Sequence, residues 1–391
     1  MNILMLNHNV IWRSTFFRAF YFARELAARG HRVTVATISK DRLFTPRVSE
    51  LERVTIVETP DIGVSLARTG WDPWDSVFRA AYFQRQDFDI VHGFDCRPVV
   101  LAPSLLLRFG SRARWVSDWA DWWGRGGAIS ERKSWIGRVA FAPLETFLEE
   151  RFRWLASQVT VTSRALYQRC LALNLRKDRV HYIPSGANVR TIQVRDRIEC
   201  RQALALPRAA PIACFVGFVQ YDLELVIRAF AVVHARMPAA RLVLVGPPHK
   251  ATRDLVKQLG LDQAVIDVGA QPFAAVESYL GAADVLLMPM SDNLMNRARG
   301  PIKLGDYMAA GRPIVANPVG DMVDAFRADD IGLLAADTPD AYGDAIASLL
   351  TDPERCAKLG SNARRAAEQR YAWSQYAPQL EAVYDRARAG F

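Results

Sequence analysis

Short runs of hydrophobic residues alternate along the chain with segments in which apolar residues recur at helical spacing. The first run, Asn2–Leu6, precedes a helical pattern that begins at Phe16 and stops at Gly30. Because glycine readily adopts the left-handed conformation found at helix ends, Gly30 predicts the end of this helix. Arg32–Thr37 predicts the next strand. This order of strand, helix and strand is typical of a parallel sheet covered by helices.

The alternation continues through the first half of the chain and restarts in the second. Further strands are predicted at Ile90–Val91, Trp115–Val116, Val159–Thr162, Val180–Ile183, Cys214–Val216, Arg241–Val245, Val265–Val268, Val285–Pro289 and Pro313–Ala316. Further helices are predicted at Val99–Leu107, Glu224–Arg236, Asp254–Leu259, Val276–Ala282 and Ile302–Ala310. The patterns fade between Asn188 and Pro211, so we expect two α/β domains, residues 1–190 and 200–371. A last helical pattern, in residues 372–391, is expected to pack back on the first domain.

The amino-acid composition indicates a folded globular protein and a reducing compartment. Half of the 391 residues are hydrophobic and 23% are charged, which is typical of a folded globular chain. No apolar stretch approaches the roughly 20 residues that a membrane span needs. The N-terminus lacks the basic lead of a signal peptide. The five cysteines have no disulfide-like or metal-ligand spacing, so we expect a cytoplasmic protein with neither a metal nor a cofactor.

The charge and the tryptophan distribution leave several partners open. The net charge of +9 suits an anionic partner or simply solubility, but no basic run is long enough for a nucleic-acid-binding arm. Half of all tryptophans lie in an arginine-rich stretch between Trp115 and Trp135. This composition suits an anionic membrane surface, a lipid-phosphate acceptor, a sugar-stacking wall or plain burial. A peripheral position on the inner face of the cytoplasmic membrane is one of these alternatives.

The most informative segment of the sequence is residues 299–316. A helix is predicted to start near Pro301, because proline is favoured at the first helical position. Lys303 lies in the first turn, where a cation is unfavourable unless an anion binds the free N–H groups. A diphosphate would satisfy both, and Asp306, on the same helical face, is able to accept hydrogen bonds from ribose hydroxyls. The alternative is a capped surface helix with an incidental Lys–Asp pair.

The run from Lys303 to Pro313, followed by Asn317–Gly320, resembles the donor-binding helix of the family 4 retaining glycosyltransferases. The resemblance implies the GT-B fold, in which two Rossmann-like doubly wound domains face a central cleft. It assigns acceptor binding to the first domain and nucleotide-sugar binding to the second. Lys303 is then expected to bind the donor diphosphate. Asp306 and Ala298 stand at the positions of the family's second and first glutamates.

Other segments of the second half resemble the same donor site. Gly217 follows a strand and lets a diphosphate approach the backbone, although a plain strand-to-helix turn explains it as well. Where the family has a basic residue, this chain has Gln220, Tyr221 and Asp222 after Phe218. The resemblance implies that the base is bound by Gln271, Pro272 and Phe273, and that the ribose or donor sugar is bound by Asp306, Asn293, Pro301 and Ile302.

The first half offers candidates on the acceptor side. Asp118 and Asp121 lie in a pattern that resembles a subfamily of surface-polysaccharide transferases, and many family members have a histidine near the first of them. One carboxylate could act as a base on the acceptor hydroxyl, or both could orient the sugar or cap a helix. In the predicted loop Asn7–Thr15, which lacks the family's Gly-Gly pair, Arg13 and Ser14 are candidate contacts, and His8 is expected to be either structural or an acceptor contact.

These observations predict a bacterial enzyme that transfers a sugar. The donor is expected to be a nucleotide-diphosphate sugar, and the acceptor a hydroxyl of a sugar, a lipid-linked molecule or a small molecule. The resemblance implies retention at the anomeric carbon and a role in polysaccharide, glycolipid or related glycoconjugate biosynthesis. Two alternatives stay open: a non-catalytic GT-B subunit that binds a nucleotide sugar, and a nucleotide-sugar epimerase of the same fold.

Overall fold

The chain folds into two compact units. The computed structural model describes residues 1–41, 44–61, 67–131, 135–217 and 222–390. The first unit comprises Met1–Ser185, Arg297–Gly300 and the C-terminal segment from Trp373 onward. The second comprises Gly186–Asn296 and Pro301–Ala372.

The first unit is built on an eight-stranded sheet. Its strands are β1 (Asn2–Val10), β2 (Arg32–Ile38), β3 (Arg47–Leu51), β4 (Val54–Thr59), β5 (Ile90–Phe94), β6 (Arg114–Trp119), β7 (Gln158–Val161) and β8 (Val180–Tyr182). The spatial order is β3-β4-β2-β1-β5-β6-β7-β8, and only β3 pairs antiparallel with its neighbour. The helices are α1 (Thr15–Ala28), α2 (Pro73–Phe83), α3 (Pro98–Gly110), α4 (Trp135–Arg151) and α5 (Arg164–Ala172).

The second unit is built on a six-stranded parallel sheet. Its strands are β9 (Ile212–Val216), β10 (Arg241–Val245), β11 (Val265–Asp267), β12 (Val285–Met288), β13 (Ile314–Ala316) and β14 (Gly332–Leu334), in the order β11-β10-β9-β12-β13-β14. The helices are α6 (Arg197–Ala203), α7 (Leu223–Arg236), α8 (Lys250–Gln258), α9 (Phe273–Ala282), α10 (Leu294–Ala298), α11 (Ile302–Ala309), α12 (Met322–Asp329), α13 (Pro339–Leu350) and α14 (Pro353–Ala366).

The final helix, α15 (Trp373–Ala389), belongs to the first unit. Its first residue, Trp373, packs edge-on against Phe22 of α1, with ring centroids 4.8 Å apart. Near its other end, the Tyr384 hydroxyl lies 2.8 Å from Nδ1 of His92 in β5. Aromatic packing and a buried hydrogen bond therefore fasten the C-terminal segment to the helix and the sheet of this unit.

The central strands of both sheets are buried on both faces, as expected for parallel sheets covered by helices. In β9, Ile212 and Cys214 belong to one apolar cluster of the second unit, whereas Ala213 and Phe215 belong to another. Because successive side chains of a strand point to opposite faces, these clusters are the two cores of the unit. None of the helices in the described ranges combines the length and the apolar character that a bilayer crossing requires.

The first strand is longer than the sequence pattern predicts. The prediction of a loop from Asn7 onward is wrong, because β1 continues to Val10. Asn7 is fully buried, but its Nδ2 donates to Oγ1 of Thr37 in the neighbouring strand at 3.1 Å. A polar residue can continue a buried strand when such a partner is present. The strands β3 and β4 and the helices α2 and α4 are additional to the predicted elements.

Candidate functional site

Helix α11 is attached to the end of the central strand of the second sheet. The Tyr307 hydroxyl accepts a hydrogen bond from the backbone N–H of Val216 at 3.0 Å and lies 3.3 Å from the carbonyl oxygen of Leu287. Val216 is the last residue of β9, and Leu287 lies near the end of β12. Tyr307 therefore holds α11 at the carboxyl edge of the sheet, where doubly wound domains bind their ligands.

Lys303 lies one turn before Tyr307, near the same strand end. Its Nζ is 4.5 Å from the ring centroid of Phe215 and 5.9 Å from that of Tyr307. The faces of aromatic rings attract cations, so these two rings hold the ammonium group beside β9. Gly217 follows β9 directly, while the predicted positions Phe218, Gln220 and Tyr221 lie outside the described residues. Lys303 and Gly217 thus share one strand end.

Asp306 presents a carboxyl group with a buried oxygen that lacks a hydrogen-bond donor within the described ranges. The residue is partly exposed, but its Oδ1 is buried, and no hydrogen-bond donor among the described residues reaches it. Burial raises the pKa of Asp306 to about 8. A buried acceptor without a partner is costly, and a hydroxyl donor from a ligand would remove that cost.

The raised pKa of Asp306 predicts a pH-dependent stability. A carboxyl with a higher pKa in the folded state contributes stability that is present below pH 4 and is lost as the pH rises through about 8. We expect Asp306→Asn to flatten this decline between pH 5 and pH 8. The measurement is the difference in urea midpoint between wild type and variant at several pH values. Parallel pH profiles for the two proteins would contradict the assignment.

The glycine within this helix is required by close packing. A Cβ atom at Gly305 would lie 2.5 Å from the carbonyl oxygen of Gly186 and 2.7 Å from the Cα atom of Ala187. Both are backbone atoms, so they cannot turn aside as a flexible side chain could. The first turns of α11 therefore pack directly on the segment that begins the second unit.

Gly305→Ala is expected to destabilise the second unit by about 1–3 kcal/mol, because the added methyl group forces the helix away from this backbone. Urea unfolding followed by far-ultraviolet circular dichroism measures the change. Gly110→Ala is the control, since nothing lies within 4 Å of a Cβ atom there. Equal midpoints for the Gly305 variant and wild type would contradict the packing described.

The remaining donor-side candidates also lie at the carboxyl edge of the second sheet. Pro272 is the N-cap residue of α9 and Phe273 is its first residue, while Nε2 of Gln271 donates to the Val268 carbonyl at 2.6 Å. This loop follows β11, two strands from β9. The structure thus brings the predicted base-binding segment to the same sheet edge as Lys303.

Two details of this edge differ from the sequence prediction. Oδ1 of Asn293 accepts a hydrogen bond from the Asn296 N–H at 2.8 Å, so this amide oxygen already caps α10. Pro301 occupies the N-cap position of α11 rather than the first helical position, which is taken by Ile302. The proline carbonyl accepts from the Leu304 N–H at 3.1 Å and begins the helix.

In the first unit, the prediction that Asp118 contacts an acceptor does not fit its surroundings. Asp118 lies within β6 and is fully buried. Arg18 of α1 donates to it from Nη2 at 2.8 Å and from Nε at 3.1 Å, and Oγ1 of Thr160 donates at 2.7 Å. Burial alone would raise the pKa of this carboxyl, but Arg18 and the other partners lower it overall. The geometry is that of a structural ion pair. A buried carboxylate held in this way is not available to act as a base on an acceptor.

Asp121 is placed differently from Asp118. It follows β6 at the carboxyl edge of the first sheet and is partly exposed. Desolvation raises its pKa, while Arg299 opposes the shift. Asp95, directly after β5, is fully buried with φ +64°, and burial followed by the neighbouring Asp121 raises its pKa. Asp121 is therefore the carboxyl of the predicted pair that a ligand can reach, and Asp95 is a neighbour that the sequence analysis missed.

The N-terminal candidates divide into buried and exposed residues. His8 is 1% exposed, and its Nδ1 lies 3.7 Å from Asp95. Burial, followed by Arg97, lowers the pKa of His8 to about 3, so the ring is neutral and structural, and the expected acceptor contact does not fit. Arg13 and Ser14 are exposed immediately before α1, and the Ser14 backbone has φ +46°. They remain candidates for a contact at this helix start.

A stack of aromatic and basic side chains lies beside Asp95 and was not predicted. The guanidinium carbon of Arg97 is 5.0 Å from the ring centroid of Trp71 and 4.9 Å from that of Trp123. Arg97 also pairs with Glu145, and Nε1 of Trp123 donates to Asp95 at 3.2 Å. The available sequence signal was the position of Asp95 directly after a strand. Within the described ranges, no group of three or more His, Cys, Asp or Glu residues is placed to hold a metal ion.

Two family models match the chain, one in each half. The model described as glycosyl transferase 4-like domain matches residues 18–186. The model described as glycosyl transferases group 1 matches residues 196–366. Each half of the chain thus belongs to a glycosyltransferase family. The family that the sequence analysis predicted from the segment around Lys303 is thereby confirmed.

Curated relatives cover part of the chain. The D-inositol 3-phosphate glycosyltransferase of Corynebacterium urealyticum is 29% identical over 223 residues, which are 53% of this chain and 51% of the relative. The corresponding protein of Saccharomonospora viridis is 30% identical over 229 residues, covering 55% and 52%. The chain thus spans about half the length of the curated relatives that it matches.

Solved structures of similar fold cover the chain almost completely. Sucrose-phosphate synthase from Thermosynechococcus elongatus covers 100% of both chains with a TM-score of 0.78 and 21% identity. Anabaena HepE in complex with UDP-glucose covers 98% of this chain and 99% of its own, with a TM-score of 0.70 and 15% identity. At such identities the likeness concerns the fold, and it confirms the predicted GT-B class with two Rossmann-like α/β domains.

One departure from the pattern of these glycosyltransferases has a structural basis. Ala298 stands where the resemblance places the family's first glutamate. It is fully buried and belongs to an apolar cluster of the first unit that includes Trp119, Trp122 and Val161. A carboxylate in this apolar cluster would lose its hydration, so alanine suits the position.

Proposed function

We propose that this protein is a glycosyltransferase that moves a sugar from a nucleotide-diphosphate sugar to an acceptor hydroxyl. The observation that carries the proposal is the position of Lys303, whose ammonium group lies beside the end of β9 in the first turn of α11. The Anabaena protein of similar fold was solved with UDP-glucose, and the curated relatives are named as glycosyltransferases. Both support a nucleotide-sugar donor.

The chemistry follows from the charge that develops during transfer. The bond between the anomeric carbon and the diphosphate oxygen breaks, a bond to the acceptor oxygen forms, and the acceptor hydroxyl loses its proton. The departing nucleoside diphosphate takes both bonding electrons. The Lys303 ammonium and the N–H groups of the first turn of α11 stabilise this negative charge, so the proposal requires no metal.

Other residues of the same edge have proposed roles in holding the donor. The buried Oδ1 of Asp306 accepts a hydrogen bond from a ribose hydroxyl. This hydroxyl supplies the donor that Oδ1 lacks among the described residues. The backbone at Gln271–Phe273 binds the base, and Gly217 lets the diphosphate approach the strand end. Asn293 supports the site by capping the N-terminus of α10. Pro301 and Ile302, at the start of α11, line the part of the site that binds the donor sugar.

On the acceptor side we propose Asp121 as the carboxyl that contacts the acceptor, with Arg13 and Ser14 as further contacts. Asp118 and His8 then support the first unit from within. Retention at the anomeric carbon is proposed from the family resemblance. The acceptor class, whether sugar, lipid-linked or small molecule, is left to the experiment below.

The test is a panel of nucleotide-diphosphate sugars incubated with the purified full chain, with and without candidate acceptors. We expect one donor to release nucleoside diphosphate, and nuclear magnetic resonance of the product to show the donor's anomeric configuration. Tight binding without turnover of any donor would indicate a binding subunit instead. Incorporation of solvent deuterium at the sugar C2 position without an acceptor would indicate an epimerase.

A further inference from the structure

In helix α4 of the first unit, charged side chains are buried and large apolar side chains are exposed, the reverse of the usual arrangement. The acidic side chains of Glu145 and Glu149 are each 3% exposed, and Arg153 in the turn that follows is fully buried. The large apolar side chains instead face outward. We refer to them as the α4 outer surface, and they are Trp135, Val139, Leu144, Phe147, Trp154 and Leu155, each at least 38% exposed. The last two lie in the turn that follows α4, and large exposed apolar side chains grouped in this way mark an interaction site.

The inverted orientation is fixed by hydrogen bonds on the inner side. Oε1 of Glu149 accepts from Nε1 of Trp119 at 2.9 Å and from the N–H of Trp123 at 2.8 Å. Arg153 donates to Oγ of Ser117 and to the carbonyl oxygen of Asp118, both at 2.9 Å. Rotating the helix would bury its apolar side chains but would break the hydrogen bonds of these charged groups. Losing those bonds costs more free energy than leaving the apolar side chains exposed.

Basic groups border the α4 outer surface at its C-terminal end. The guanidinium carbon of Arg151 lies 5.9 Å from the ring centroid of Trp154. Nη2 of Arg179 donates to the Trp154 carbonyl at 3.2 Å, and Nη1 of Arg108 donates to Ser157 at 3.2 Å. Burial, followed by the nearby guanidinium groups of Arg176 and Arg108, lowers the pKa of Arg179. The guanidinium groups of Arg151 and Arg179 thus lie beside the exposed Trp154, while Arg176 pairs with Asp178.

We propose that the α4 outer surface docks on the interface of an anionic lipid bilayer. Exposed tryptophan, phenylalanine and leucine with flanking arginines are the composition of helices that lie in this interface, the rings among the acyl chains and the guanidinium groups at the phosphates. No helix in the described ranges is able to cross the membrane, so the docking is peripheral. A symmetric dimer through this surface would bring the arginines of two copies together, whereas anionic headgroups complement them.

The docking is tested on the full chain by co-sedimentation with vesicles of phosphatidylcholine, with or without phosphatidylglycerol. The double variant Val139→Ser with Phe147→Ser is expected to lower the partition coefficient by roughly tenfold or more, because two exposed apolar groups no longer enter the interface. Arg151→Ala is expected to lower binding to the anionic vesicles alone, by about fivefold. No donor is present, so the outcome is independent of the proposed transferase activity.

Matched controls use exposed residues elsewhere in the first unit. Val48→Ser on β3, where the side chain is 54% exposed, and Arg85→Ala after α2 are expected to bind vesicles like wild type. Unchanged thermal unfolding establishes that the α4 variants are folded. The proposal is overturned if wild type fails to sediment with anionic vesicles or if the variants bind as it does. It is also overturned if the variants only dissociate a dimer without changing vesicle binding.

Discussion

Arg18→Met is expected to destabilise the first unit by about 3–5 kcal/mol, because it leaves the fully buried carboxylate of Asp118 without its countercharge. The guanidinium group also donates to the carbonyl oxygens of Ile183 and Pro184, at 2.8 Å and 3.1 Å, and both would lose a donor. The arginine thereby joins α1, β6 and the segment that follows β8. Loss of all these contacts gives a large effect at a site that touches no proposed substrate.

Tryptophan fluorescence reports on this unit selectively, because all ten tryptophans of the chain lie in it. The urea midpoint of the fluorescence transition therefore measures the change. Arg47→Met is the control, since Arg47 is half exposed and its pair with Asp41 is expected to contribute at most about 1 kcal/mol. A loss of less than about 1 kcal/mol in Arg18→Met would show that the ion pair is not a structural support.

Lys303→Ala is expected to lower kcat/KM for donor turnover by about 10²–10³-fold. The variant loses one preorganised positive charge that stabilises the negative charge developing on the departing diphosphate. The aromatic rings of Phe215 and Tyr307 hold the ammonium group in place, so little reorganisation accompanies the reaction. Lys303→Arg is expected to recover part of the activity, because it restores the positive charge but not the ammonium geometry. The measurement is the release of nucleoside diphosphate from the preferred donor.

The matched control is Lys257→Ala, an exposed lysine on α8 of the same unit, for which no change is expected. Thermal unfolding of Lys303→Ala should be close to that of wild type, because Lys303 is only partly buried. Turnover within threefold of wild type would mean that the diphosphate is not bound at α11.

Much of the fold was predictable because parallel strands leave a strong local signal. Arg241–Val245 is predicted and observed with the same ends, and Gly30 and Gly311 have the positive φ values expected after a helix. The strands β3 and β4 were missed, since β3 is an exposed edge strand without an apolar run. The helix α2 carried a readable signal, because Asp72 caps it ahead of Pro73.

The candidate site was less predictable, because sequence position does not reveal which polar groups already have partners. Asp118 and Asp121 are three residues apart, yet one is an internal ion pair and the other reaches the surface. The distinction depends on Arg18, one hundred residues away in sequence. The inverted polarity of α4 was equally hidden, since its inner partners, Trp119 and Asp118, belong to another element. The position of Lys303 in the first turn of a helix was predictable because the motif and the helix are contiguous.

The most direct test of the central claim compares nucleoside diphosphate with nucleoside monophosphate in binding to wild type and Lys303→Ala. Isothermal titration is expected to show that wild type binds the diphosphate about 10–100-fold more tightly, because a charge-assisted contact to the second phosphate contributes about 1.5–3 kcal/mol. In Lys303→Ala the two ligands are expected to bind almost equally. A preference for the diphosphate that survives in the variant would contradict the assignment of this lysine and, with it, the donor site at α11.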